Sequence, residues 1–199
     1  MNSVAEVVRE TVGTQARWRA VAEIFKPRIG FEIMLAGVAG VVMAQGSGLA
    51  LGPLLVLAAA IFVAAGAAGA LNHLAERDLD ARMSRTRNRP FVAGTLGGGV
   101  AWYALVAVLL AGAVTAAGLA TNWIAATYTF LGAFTYGVVY TLWLKRRTWM
   151  NIVVGGLAGS FAVLAGATAV DPAPGAAAWA FAVVLFLWTP PHFWSLATY

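Results

Sequence analysis

Six apolar segments, each close to the length that crosses a hydrocarbon core about 30 Å thick, dominate the 199-residue chain. They run approximately over Ile29–Ala44, Leu49–Leu71, Val100–Leu119, Ile124–Leu144, Ile152–Val170 and Ala176–Thr198. Lipid offers the backbone no hydrogen-bond partners, so each segment is expected to be a helix. Barrel strands would need polar residues at alternate positions, and none of the segments has them. The expected fold is therefore all-α, a polytopic membrane bundle of about six transmembrane helices. Composition agrees: 11% of the residues are charged, against about 25% in a soluble domain.

The basic residues are segregated. Residues 1–28 hold Arg9, Arg17, Arg19, Lys26 and Arg28; the 73–99 loop holds Arg77, Arg82, Arg85, Arg87 and Arg89; the next such loop is Lys145-Arg146-Arg147. These are all thirteen Lys and Arg of the chain, and the alternate loops around Gly46, Asn122 and Asp171 have none. Such complete alternation is a positive-inside pattern, which predicts residues 1–28 and both charged loops on the cytoplasmic side of a cell or inner membrane. A net charge of +5 and a pI near 10.1 would suggest nucleic acid in a soluble protein. Here the charge is read as topology, and no nucleic-acid partner is expected.

There is no cysteine, hence no disulfide and no thiolate metal site. Residues 1–28 lack the apolar core of a cleavable signal. Val4, Val7, Val8 and Val12 suggest a short helix resting on the membrane surface. The expected division is a cytoplasmic segment, 1–28, and a transmembrane domain, 29–199. Gly37 with Gly40, Gly66 with Gly69, and Gly155 with Gly159 would let helix backbones approach closely. Pro190-Pro191 withdraws two backbone donors from the sixth span, so a kink is expected just before His192.

The chemistry concentrates where the second span ends. Three of the eight acids (Glu76, Asp78, Asp80) and five arginines fall between Asn72 and Pro90. If the helix continues, Asn72, Glu76 and Asp80 lie within an arc of roughly 80° at about 100° per residue. Asp78 points roughly 160° away and becomes a ligand only if the chain unwinds. An amide and two carboxylates on one ridge suit a hard cation, Mg²⁺ rather than Zn²⁺. Mg²⁺ commonly joins one or two carboxylates to a phosphate-bearing ligand. Arg85 and Arg89, with Lys145, Arg146 and Arg147 at the same membrane face, could hold that phosphate. A diphosphate at the mouth of an apolar bundle implies a buried tail, which describes an isoprenoid diphosphate.

The block from Asn72 to Gly94 resembles the first Asp-rich motif of the UbiA family of intramembrane prenyltransferases. Its tail, Met83-x-Arg85-Thr86-x-x-Arg89-Pro90, is similar to the branch that farnesylates protohaem IX. Lys26-Pro27-Arg28, Tyr140 to Thr148 with Asn151 to Gly155, and Leu187 to Trp194 are similar to the same branch and occur in the same order. The resemblance implies Mg²⁺-dependent transfer of a farnesyl group from farnesyl diphosphate to a vinyl group of haem B, giving haem O. It implies metal binding at Asn72, Glu76 and Asp80, where Glu76 stands at a position more often Asp. Arg85, Arg89 and Lys145 match basic positions near the diphosphate, with Arg146, Lys26 and Arg28 as further candidates. His192 matches a histidine of the haem branch, and His73 is a second candidate. The allylic cation left by the departing diphosphate would need aromatic neighbours, for which Trp143, Tyr136, Tyr140, Phe193 and Trp194 are available. Membrane lipid and, by the same resemblance, assembly proteins of a terminal oxidase are the other expected partners.

The family fold has roughly nine transmembrane helices and a second Asp-rich motif after the sixth, so this chain corresponds to the N-terminal two-thirds of it. Little turnover is expected of these residues alone, the transmembrane domain being incomplete at its C-terminus on that comparison. A membrane subunit that binds haem or an isoprenoid diphosphate without turnover is the alternative reading. A small cation or lipid transporter would want ionisable groups at mid-membrane depth, and the spans offer almost none.

Overall fold

The computed structural model describes residues 17–44, 46 and 48–196. The surface helix expected on Val4, Val7, Val8 and Val12, and the end of the sixth span at Thr198, lie outside the described residues. Nine α-helices and one π-helix make up the described chain. They are α1 (17–25), α2 (Pro27–Met43), α3 (Leu51–Ala75), α4 (Arg77–Asp80), α5 (Val100–Ala120) and α6 (Trp123–Phe134), which continues directly as a π-helix, Thr135–Leu144; then α7 (Asn151–Gly155), α8 (Leu157–Val170) and α9 (Ala176–Leu196). No strand occurs among the described residues.

The six apolar segments thus become six helical rods, and the chain is an integral membrane protein. Four rods are long and apolar enough to cross a membrane: Leu51–Ala75, Val100–Ala120, Asn151–Val170 (α7 and α8, joined at Gly156) and Ala176–Ser195. The other two explain why the count of plain spans falls short of six. Helix α2 is 17 residues long, and the rod from Trp123 to Leu144 changes its winding at Thr135. Helix α9 runs through Pro190 and Pro191 without ending, with Thr189 Oγ1 donating to the Leu185 carbonyl at 2.8 Å.

Alanine and glycine do most of the packing. Helix α3 lies against α2, α5 and α6, and α8 against α2, α6 and α9, around a core that includes Ala60, Ala64, Ala117, Ala125 and Ala165. Small side chains let helix axes come close, which in lipid replaces the hydrophobic drive available in water. The tightest seam joins α2 to α8: a Cβ on Gly40 would overlap the carbonyl of Val163, and one on Gly166 the carbonyl of Gly37. The other two glycine pairs act differently. Gly66 and Gly69 make room for Phe25, Ile24 and Lys26, where α1 turns into α2. Gly155 faces the ring of Tyr140, and Gly159 meets nothing nearer than a Leu185 methyl at 3.9 Å, so these two form no backbone seam.

Two ends of the bundle are tied by polar groups. At one, Asn122 caps α6, accepting from the backbone N–H of Ile124 and Ala125, while its Nδ2 donates 2.7 Å to the Thr168 carbonyl of α8. At the other, the 81–99 loop folds back over the end of α3. Phe91 is buried against Ile24 and Ala70 and meets Trp102 edge to face, centroids 5.3 Å apart.

Candidate functional site

The helix carrying Asn72 does not run straight to Asp80. It ends at Ala75, Glu76 takes φ −97° and ψ 2°, and the short α4 follows. The spacing survives because both joints keep helical hydrogen bonds: Glu76 N–H to Asn72 O at 3.1 Å, Asp80 N–H to Glu76 O at 2.8 Å. The three side chains therefore remain one ridge, each almost wholly buried: Asn72 2%, Glu76 2% and Asp80 4% exposed. Asp78 is exposed and off the ridge, as an intact helix would place it.

Buried carboxylates need compensation, and each has a cation. Lys145 Nζ stands 2.6 Å from Oε1 and 2.7 Å from Oε2 of Glu76; the hydrogen bond goes to Oε2, the Oε1 contact being charge pairing. Arg89 Nη1 donates to Asp80 Oδ2 at 2.6 Å and lies 3.8 Å from Glu76. Lys26 Nζ donates to Asn72 Oδ1 at 2.6 Å and to the Tyr136 hydroxyl at 2.9 Å. Three cations against two carboxylates leave the cluster one positive charge in excess.

Lys26 reaches this position through an unusual backbone. Its φ of +47° makes it the one non-glycine in the left-handed region among the described residues. Pro27 then starts α2 with φ already set for a helix. Such a conformation is held only where its surroundings over-determine it, and Lys26 has two hydrogen bonds to do so. Burial, then the charges of Arg89 and Lys145, pull its ammonium down to about 8, while Glu76 and Asp80 oppose the shift.

The rest of the ridge is braced by two threonines that lie inside stretches carrying the family resemblance but have no role assigned by it. Thr141 Oγ1 accepts from Asn72 Nδ2 at 3.3 Å and donates to the Tyr136 carbonyl at 2.8 Å. Thr86 Oγ1 donates to the Asp80 carbonyl at 3.0 Å, fixing the loop that delivers Arg89. A threonine gives no periodic signal, so neither contact could be read from the chain alone.

Not every expected residue arrives. Arg89 joins the ridge, but Arg85, four residues earlier, is exposed, because the 81–99 loop turns at Thr86 instead of continuing as a helix. Arg28 is exposed on the first turn of α2. Arg146 binds backbone, its Nη2 donating to the Ala75 carbonyl at 2.9 Å and so satisfying a terminal acceptor of α3. His73 is buried beside the ridge, and its Nδ1 has no hydrogen-bond partner among the described residues. His192 is half-exposed and stacked on Trp188, centroids 4.2 Å apart, with Phe193 at 5.5 Å. Of the aromatics, Tyr136 and Tyr140 line the ridge, carrying Lys26 and Lys145 at 5.6 and 5.7 Å from their ring centroids. Trp143, Phe193 and Trp194 are exposed.

Among the described residues no three His, Cys, Asp or Glu side chains group as a cation cage. Two buried carboxylates and an amide oxygen on one ridge nevertheless fit Mg²⁺, which takes few protein carboxylates and completes its shell with phosphate oxygens and water. The excess positive charge suits the same phosphate. The donor set is hard oxygen throughout, and no sulfur or imidazole on the ridge favours a softer metal.

Comparison with known proteins bears on the family of the chain as a whole. Residues 33–199 match the model of the UbiA prenyltransferase family. The chain is 51% identical over 183 residues to "Protoheme IX farnesyltransferase 2" of Paramagnetospirillum magneticum, covering 92% of this chain and 64% of that protein. It is 44% identical to "Protoheme IX farnesyltransferase 1" of the same organism, covering 90% and 63%. It is 40% identical to a protoheme IX farnesyltransferase of Thermus thermophilus, covering 92% and 30%. The chain thus spans less than two thirds of the length of these relatives. No solved structure matches it.

Proposed function

The chain belongs to the UbiA prenyltransferase family, and from that premise we propose that it carries the first diphosphate site of a protohaem IX farnesyltransferase. The reaction would move a farnesyl group from farnesyl diphosphate to a vinyl group of haem B, giving haem O. One observation carries this reading: the buried Asn72–Glu76–Asp80 ridge, enclosed by Lys26, Arg89 and Lys145 with positive charge to spare.

The division of labour follows from the contacts. Glu76, Asp80 and Asn72 are the residues that would hold a divalent cation, Mg²⁺ by their chemistry. Such an ion supplies charge neutralisation on diphosphate oxygens. Lys26, Arg89 and Lys145 bind and orient the diphosphate. Their charges favour its departure, because they are fixed in place before negative charge develops on it. As the C1–O bond breaks, its electron pair leaves with the diphosphate, and the allylic carbon becomes cationic. Tyr136 and Tyr140, whose rings already carry the ammonium groups of Lys26 and Lys145, would stabilise that carbon until the vinyl π-bond attacks it. Water adding to the resulting haem-side cation, with loss of a proton, gives the hydroxyethylfarnesyl group. His192, on its aromatic platform of Trp188 and Phe193, is the first candidate to contact haem, and His73 the second.

The segregation of basic residues supports a cytoplasmic location for residues 1–28, the 73–99 loop and Lys145-Arg146-Arg147, with 29–199 as the transmembrane domain. Membrane lipid surrounds that domain, and terminal-oxidase assembly proteins are the partners the product would serve.

The test uses the purified chain in lipid nanodiscs with farnesyl diphosphate, Mg²⁺ and haem B, and separates haem O from haem B by chromatography. Haem O formed at a low level by the wild type and not at all by Asp80→Ala is the expected result. Mg²⁺-dependent binding of farnesyl diphosphate without product would make the chain a binding subunit instead. No Mg²⁺-dependent binding at all would end the diphosphate reading.

A further inference from the structure

The rod from Trp123 to Leu144 is α-helical for 12 residues and then π-helical for 10. π-Helical structure usually appears as a single-turn bulge and often marks a functional site. Here the π stretch and the residue that follows it supply three contacts to the ridge and its cations: Tyr136 bonded to Lys26, Thr141 bonded to Asn72, and Lys145, just past its C-terminal end, paired with Glu76.

Winding decides whether these side chains can share a face. At roughly 100° per residue, an α-helix would set Thr141 about 140° and Lys145 about 180° from Tyr136. Hydrogen bonds from i to i+5 give a π-helix roughly 82° per residue, which brings Thr141 to about 50° and Lys145 to about 20° from Tyr136. Two contacts lock this winding: Lys145 N–H to Tyr140 O at 2.9 Å, and Thr141 Oγ1 to Tyr136 O at 2.8 Å, both spanning five residues. Gly137 lets the widened turn press against Leu71 and Ala68 of α3, and Gly155 leaves room for the Tyr140 ring. Trp143, which an α-helix would turn toward Tyr136, is 53% exposed on the outside.

We propose that the π winding of Thr135–Leu144 is the positioning element of the diphosphate site, setting Lys145 on Glu76 while Tyr136 and Thr141 hold Lys26 and Asn72. The inference rests on reading the ridge as that site, but the winding can be tested apart from any ligand. The chain contains no cysteine, so pairs can be introduced cleanly. Under a short homobifunctional maleimide, Glu76→Cys with Lys145→Cys should cross-link, and Glu76→Cys with Trp143→Cys should not; the reverse pattern overturns the proposal whatever the ligand does.

The functional arm titrates nanodisc-embedded protein with farnesyl diphosphate and Mg²⁺. Lys145→Met should weaken binding by about tenfold or more, and Lys145→Arg should recover most of it. Trp143→Lys alone should bind like the wild type, since a lysine there can extend to the membrane surface. Trp143→Lys added to Lys145→Met should stay weak, although both place one lysine within a turn of the same spot. Rescue by that double variant, or full affinity in Lys145→Met, would show that the π winding does not place the charge. Wild-type protein that ignores the ligand while the 76–145 pair still cross-links would remove the diphosphate reading and leave the winding in place.

Discussion

The seam between α2 and α8 and the ridge at the end of α3 are both tightly packed, yet they are specified in opposite ways. At the seam, Gly37, Gly40 and Gly166 bring two backbones together by having no side chain, and nothing there is charged. At the ridge, Asn72, Glu76 and Asp80 are held by side chains from the 81–99 loop, the α1–α2 junction and the π-helix with the residue that follows it. The seam serves only the bundle. The ridge takes two carboxylates out of water, a poor way to stabilise a fold, and keeps a surplus of positive charge that only an anion would use. On the proposed function, stability and ligand binding are therefore concentrated in different places, and substitution can separate them.

The largest effect is expected at the seam. Gly166→Leu puts a side chain where the Gly37 carbonyl already stands, so α2 and α8 must part. Folded protein should be lost, measured as monodisperse yield in detergent, and a variant melting like the wild type would contradict the contact. Next comes Asp80→Asn, which keeps shape but removes charge. Binding of farnesyl diphosphate with Mg²⁺ should fall by about 100-fold, or roughly 2.7 kcal/mol, while the melting curve moves little because Arg89 is partly solvated.

Lys145→Met should cost about 2 kcal/mol in stability by leaving Glu76 buried without its ammonium, discounted because Lys145 itself is about one-third exposed. Adding Glu76→Gln should recover most of that loss without restoring ligand binding. Thermal melts and titrations on the same samples read both sides; recovery of binding by the double variant would erase the distinction between the two regions. The smallest effect is expected at Gly159→Ala, whose nearest neighbour is a Leu185 methyl at 3.9 Å. Stability should change by no more than about 1 kcal/mol, in the favourable direction, since alanine is the better helix former. A large loss there would mean that small residues matter along α8 generally, and not only where backbones touch.

The site was legible in part, and unevenly. Asn72, Glu76 and Asp80 could be grouped from spacing because helical hydrogen bonds preserve their order even across the break at Glu76. Arg85 and Arg89 looked equivalent in the sequence, but the turn at Thr86 sends one to water and the other to Asp80. Lys145 stands out in the sequence by its charge and its motif; no spacing argument puts it on Glu76, because ordinary helical winding turns it away from Tyr136. Lys26 had only its place before Pro27 to recommend it, and its left-handed backbone is a property of the folded junction. The glycine pairs were equally plausible on paper, yet only Gly37 and Gly40, with Gly166, form a backbone seam.

The amino-acid sequence by itself determined that the chain crosses a membrane as helices, roughly where each one lies, and which helix end carries the acids. Those features follow from local physics: lipid cannot solvate a peptide group, and residues four apart on a helix stay neighbours. Tertiary structure alone decided which cations close on the ridge and which glycines meet a backbone. Those choices depend on the angle at which distant segments arrive, and a change of about 18° per residue in winding over Tyr136 to Lys145 is enough to reverse them.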